Sequence, residues 1–176
     1  MAYSDILGMN PAFVTKTDYN DLRSGTALPN LPEDTLGLLR WQIDPSLGIR
    51  CLRFVVVAAS ATLALADGDA LAFDDKYKRS VTNDVSDASQ NQPAGVAIGA
   101  ITISNHGWIQ CYGYHDAIKT SGGDNIVDGD NLILSATDKT VERVAAGTAP
   151  TYKIIGVAVA DDVDAADTVE GFIDCL

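Results

Sequence analysis

Beyond residue 50 the chain alternates apolar with polar or small positions in short runs. LRFVVV (residues 52–57), ATLALA (61–66), GVAIGAITI (95–103) and GWIQCYGY (107–114) are rich in β-branched and aromatic residues. A period of two in such runs predicts strands, because successive side chains of an extended chain point to opposite faces. No stretch sustains apolar residues three and four apart, so long helices are not expected. The punctuation is that of tight turns: Asp67-Gly68, Asn105-His106-Gly107 and Asp128-Gly129 separate the runs.

The pattern repeats. LADGDALAF (65–73) and IVDGDNLIL (126–134) describe the same strand, Asp-Gly turn and strand, and residues 67–98 align on 128–159 without a gap. Lys78 falls on Lys139, and Gly95-Val96-Ala97-Ile98 falls on Gly156-Val157-Ala158-Val159. After a three-residue insertion, Gly107-Trp108-Ile109-Gln110-Cys111 meets Gly171-Phe172-Ile173-Asp174-Cys175. Two units are too few for a solenoid. They predict two halves of one barrel, or two small barrels side by side, each closing its edges on the other. Shared strand chemistry is the competing explanation of the likeness. Asp67, Gly68, Asp128 and Gly129 are the structural turn residues in this reading.

Residues 1–48 differ from the rest. They hold four of the six prolines, and proline removes a ladder donor while biasing its predecessor toward extended backbone. The expectation is an extended arm over 1–48, followed by a β-rich body over 49–176 whose pseudo-repeats span about 61–113 and 122–176. A short helix over Glu33–Trp41 is compatible with the proline and acids at its start, although Gly37 weakens it. Phe13, Tyr19, Leu36, Leu38, Leu39 and Trp41 are more apolar than a solvated tail needs, so the arm is expected to lie on a surface, its own or a neighbour's.

Charge narrows the function. The net charge is −12, which disfavours nucleic acid and anionic membranes as partners. It is graded: residues 1–60 carry a net −1, residues 61–121 a net −3 and residues 122–176 a net −8. An even front and an acidic back suggest that one side meets a partner and the other meets water. Cys51, Cys111 and Cys175 have no Cys-x-x-Cys spacing and read as reduced, apolar core residues of a protein made in a cytoplasm. MAYSDILGMN lacks the features of a secretory leader, and the uncharged stretch from Phe54 to Ala66 is too short to cross a bilayer.

Candidate chemistry is sparse. His106, Cys111 and His115 resemble a metal set or a Cys-His pair only loosely, with no zinc spacing around them. The Asp-Gly-Asp turns and Asp161, Asp162, Asp164 and Asp167 suggest calcium, but the EF-hand spacing is absent, and acidic turns account for them. GVAIGAI is not a phosphate loop. The expectation is a protein without enzymatic activity, cofactor or metal.

One stretch carries a family likeness. Phe54, Val57, Leu65, Gly68 and Asp69, followed by Gly95, Val96, Ala97, Gly107, Ile109 and Gly113, resemble the pattern of capsid decoration, or cement, proteins of tailed bacteriophages. The resemblance covers roughly residues 49–176 and rests on glycine-and-hydrophobe motifs. It implies a β-rich, often trimeric body that binds the outer surface of a phage capsid, with the major capsid protein as partner, the virion as location and the arm as its capsid contact. The alternative is a carbohydrate- or receptor-binding module of a phage fibre or spike, for which Trp108, Tyr112 and Tyr114 share strand parity and offer an aromatic platform. A small hydrolase ranks third, for want of a nucleophile and base.

Overall fold

The computed structural model describes residues 36–61, 63–75, 77–84, 92–122, 125–144, 149–150, 153–162 and 167–176. The described elements are all strands: β1 (Leu39–Asp44), β2 (Gly48–Val57), β3 (Ala70–Phe73), β4 (Ser80–Thr82), β5 (Pro93–Ala97), β6 (His106–Lys119), β7 (Asn131–Leu134), β8 (Val141–Arg143), β9 (Ile154–Ala158) and β10 (Thr168–Asp174). The fold is all-β, as the two-residue periodicity predicts.

Strand pairing runs around two rings that share β6. In the first, β2 pairs parallel with β4, then β4 with β3, β3 with β5 and β5 with β6, and β6 returns antiparallel to β2. In the second, β6 pairs with β10, β10 with β9, β9 with β7 and β7 with β8. A parallel bridge between Val141 and Thr120, just past the end of β6, closes it. The 14-residue β6 is therefore the last strand of one ring and the first of the next. Closure leaves no free ladder edge within either ring.

The sequence repeat is reproduced in the ladders. In β3–β5, Ala70 faces Val96 and Leu71 faces Gly95, with a register shift after Leu71. In β7–β9, Asn131 faces Val157 and Leu132 faces Gly156, with the shift after Leu132. Each repeat has a glycine where two strands approach closely. A Cβ on Gly95 would overlap the carbonyl oxygen of Gln110, and one on Gly156 would overlap that of Phe172. The repeat is thus conformational as well as compositional, and it takes the form of two small barrels.

Two apolar clusters fill the rings. Val55, Val57, Leu65, Leu71, Phe73, Val81, Ala97 and Ile109 occupy the first. Ile118, Ile126, Leu132, Leu134, Val141, Ile155, Val169 and Ile173 occupy the second, which extends over Ala70, Ala72 and Val96 on the first barrel's flank. Burial of each large side chain stabilises by roughly 1.5–3 kcal/mol. The second barrel therefore sits against the first through a continuous apolar contact.

The segment before residue 49 departs from expectation. Leu39, Arg40 and Trp41 lie in β1, not in a helix, and β1 pairs antiparallel with β2 from Leu39↔Arg53 to Asp44↔Gly48. The helix signal was weak, and Gly37 at φ 87° already departs from helical backbone, so pairing with β2 prevails. The Asp44 carboxylate accepts from the Ser46 and Leu47 amides at 2.8 and 3.0 Å, and Gly48 at φ 78° completes the turn. The boundary drawn at residue 48 thus falls inside a hairpin. Phe13 and Tyr19 lie outside the described residues.

Candidate interaction surface

Alternation along β1, β6 and β10 places one set of side chains outward. On β6 these include Trp108, Tyr112 and Tyr114, all half-buried, while Ile109, Cys111 and His115 point into the protein. Gln110 breaks the alternation. It is fully buried, and its amide donates to the carbonyls of Gly113 and Tyr114 at 3.0 and 2.8 Å. This local irregularity separates the aromatic residues expected to form one platform. Trp108 packs on Phe54, ring centroids 5.1 Å apart, and His106 stacks on the same ring at 6.0 Å.

Tyr112 belongs to a different group. Its ring meets Trp41 edge-on at 5.5 Å and Phe172 edge-on at 5.0 Å. Trp41 and Phe172 each keep close to two-fifths of their surface in solvent. Phe172 faces Tyr114 on β6 and Val157 on β9. At the hairpin end of β1, Ile43 and Ile49 face each other and are both exposed. The result is an aromatic row, Trp41, Tyr112 and Phe172, running across β1, β6 and β10 with aliphatic side chains at either end. The Tyr114 hydroxyl donates to Glu170 at 2.6 Å beside it. That hydrogen bond pushes the phenol up to about 12, with burial and the Glu170 charge adding to it.

The other arm residues divide. Leu39 is half-buried against the second cluster, Leu36 is half-buried and Leu38 is exposed. The row joining Trp41 to Phe172 was not legible in the chain, because adjacency across β1, β6 and β10 depends on strand order. The exposed parity of β1 and β10 was the available signal.

The histidines and cysteines are dispersed or internal. His106 and His115 lie on opposite faces of β6, and no group of three metal-ligating side chains forms among the described residues. His115 is buried, and its Nδ1 accepts from the Ala117 amide at 3.1 Å. Burial holds its pKa below the ordinary 6.5. Cys51, Cys111 and Cys175 are buried free thiols; the Cys111 thiol donates to the Cys51 carbonyl at 3.4 Å. Burial pushes Cys111 up to about 12 and raises Cys51 and Cys175 as well.

The two Asp-Gly corners share one internal geometry. The Gly68 amide donates to Ala97 at 2.9 Å, and the Gly129 amide donates to Ala158 at 3.0 Å. Asp69 caps the Ala66 amide at 2.9 Å and Asp130 caps the Val127 amide at 3.1 Å. Their surroundings differ. Asp69 is fully buried and takes the ammonium of Lys119, whereas its counterpart Asp130 is half-buried, and Gly129 is exposed where Gly68 is buried. Asp161 reaches the second corner and accepts from the Asp128 amide at 2.8 Å. Asp164 lies outside the described residues.

No family model matches the chain, and no curated protein matches it. Among solved structures it is similar to the N base of the head fiber gp8.5 of bacteriophage phi29, with 19% identity over 70% of this chain and 92% of that one, at a TM-score of 0.44.

Proposed function

We propose that this chain is a structural virion protein of a tailed bacteriophage: a decoration, or cement, protein that binds the outer surface of the capsid, has the major capsid protein as partner and acts as a homotrimer. Its residues that carry the family likeness belong to the first barrel and its corner, Phe54 and Val57 in β2, Gly95 to Ala97 in β5 and Gly107, Ile109 and Gly113 in β6. The observation that carries the reading is the exposed row Trp41, Tyr112 and Phe172, built on β1, the strand that continues the N-terminal segment. Aromatic side chains half in solvent have apolar surface left to bury on a partner. The acidic residues concentrated in 122–176 suit the solvent side, since burying many carboxylates needs a matching set of cations.

The test is addition of the purified protein to capsids that lack it, scored by co-sedimentation and by density on the shell in electron microscopy. Trp41→Ala with Phe172→Ala is expected to reduce occupancy at least tenfold while the barrel signature in circular dichroism persists. Full decoration by the double variant would overturn the role of this row. The carbohydrate reading predicts instead that the wild-type protein binds glycans and ignores capsids.

A further inference from the structure

The two barrels are equivalent, but among the described residues only one of the two corners is covered. In the first, the end of β6 lies over the turn: the Lys119 amide donates to the Gly68 carbonyl at 3.0 Å, and the Lys119 ammonium meets the Asp69 carboxylate. The approach is so close that a Cβ on Gly68 would overlap the carbonyl oxygen of Ala117. The adjoining flank, Ala70 and Val96, is fully buried under the second barrel. This corner therefore accepts an extended segment that lays a main-chain carbonyl over the glycine and, two positions later, offers a lysine with its own backbone amide.

The second corner has the same internal hydrogen bonds and, from the described residues, no such cover. Among the described residues none donates to the Gly129 carbonyl, and a Cβ on Gly129 would meet nothing within 4 Å. Val157, the counterpart of Val96, is 37% exposed, and Val127 and Val159 beside it are about equally open. Asn131 stands exposed where the first barrel has buried Ala70. The corner lies in the third of the chain that carries a net −8.

We infer that the second Asp-Gly corner, Val127 to Asn131 with Val157, is a docking site for a lysine-bearing extended segment of a partner protein, bound as β6 is bound at the first corner. The occupied corner specifies the chemistry of the occupant: a main-chain amide for the Gly129 carbonyl, a main-chain carbonyl close over the glycine and an ammonium for Asp130. Main-chain pairing supplies affinity and the lysine supplies selection, the usual division when a strand is added to a sheet protein. The acidic surroundings strengthen attraction of the cation and make it salt-sensitive. This surface adjoins the aromatic row at Val157, which faces Phe172. Its test changes Asp130 and the peptide and leaves Trp41 and Phe172 untouched, so its failure and that of the capsid reading are distinguishable.

The probe is a synthetic peptide with the sequence of Tyr114–Thr120, YHDAIKT, titrated into the full-length protein and followed by amide shifts in NMR. Saturable binding with a dissociation constant below about 1 mM, with shifts confined to Val127–Asn131, Val157 and their neighbours, is expected. A peptide with Lys119→Glu, and the protein variant Asp130→Asn, which keeps an acceptor for the Val127 amide, should each weaken binding about threefold to tenfold. Equal binding of the Lys119→Glu peptide, shifts centred on Gly68 and Ala70, or no saturation at millimolar peptide would overturn the inference. The peptide-side change does not depend on the stability of any protein variant.

Discussion

Lys78 and Lys139 adopt the same left-handed backbone, φ 58° and 72°, at equivalent corners of the two barrels. Side chains other than glycine pay for that conformation, by about 1–2 kcal/mol, so its occurrence at both positions marks a turn the fold imposes. Lys139 is further tied across the barrels: its amide donates to Asn83 at 3.1 Å and its carbonyl accepts from Ala70 at 2.8 Å. Lys139→Val is expected to destabilise by about 2 kcal/mol, because a β-branched residue tolerates positive φ poorly. Lys139→Gly should stay within about 1 kcal/mol of wild type, relief of strain being offset by chain entropy. Urea unfolding of both variants checks this.

Gly68 and Gly129 share left-handed backbone, φ 78° and 88°, but only Gly68 lies under another strand. Gly129→Ala should therefore cost only the conformational penalty, about 1–2 kcal/mol. Gly68→Ala adds a steric conflict with the Ala117 carbonyl and should cost at least about 3 kcal/mol. Similar melting temperatures for the two variants would contradict the different surroundings of the two corners.

The three thiols should be inert in the folded protein. All are buried with raised pKa values, and the thiolate is the reactive form. A thiol reagent at pH 8 is expected to modify none of them until denaturant is added, and all three afterwards. Fast stoichiometric labelling of Cys111 under native conditions would show that its strand opens readily.

Stability should fall at both ends of the pH range. The pKa of His115 is lowered by burial from 6.5, so its contribution is present above that value and is lost as pH falls below it toward the folded pKa. Tyr114 is raised from 10.0 to about 12 by its hydrogen bond to Glu170. Its contribution is complete below pH 10 and is lost as pH rises through 12. Ultraviolet titration of tyrosine should show one late-ionising phenol in the wild type, shifted toward 10 by Glu170→Gln.

The chain shows its strand content and its repeat openly, because alternation and Asp-Gly turns are local signals. LADGDALAF and IVDGDNLIL do occupy equivalent corners. Three features were hidden. The β1–β2 hairpin depends on Asp44 capping its own turn, a signal obscured by the prolines that made residues 1–48 read as an arm. The single span of β6 was hidden because the repeat comparison placed GWIQCYG at the end of one unit, about 61–113, and left residues 114–121 between the units. The pairing of Trp41 with Tyr112 requires β1 to lie beside β2 and β2 beside β6, a long-range order that no local pattern states.

A strand counted in both rings makes neither barrel separable. Cutting the chain anywhere between the two units leaves one of them a staff short of closure, so the repeat cannot be divided into two autonomous modules. Mechanical load applied to either barrel is carried through β6 into the other, and melting of one removes a wall of its neighbour. Under heat or denaturant the described body should lose both barrels in one step. Any kinship between the units involves an overlap, one strand serving as the end of the first and the beginning of the second.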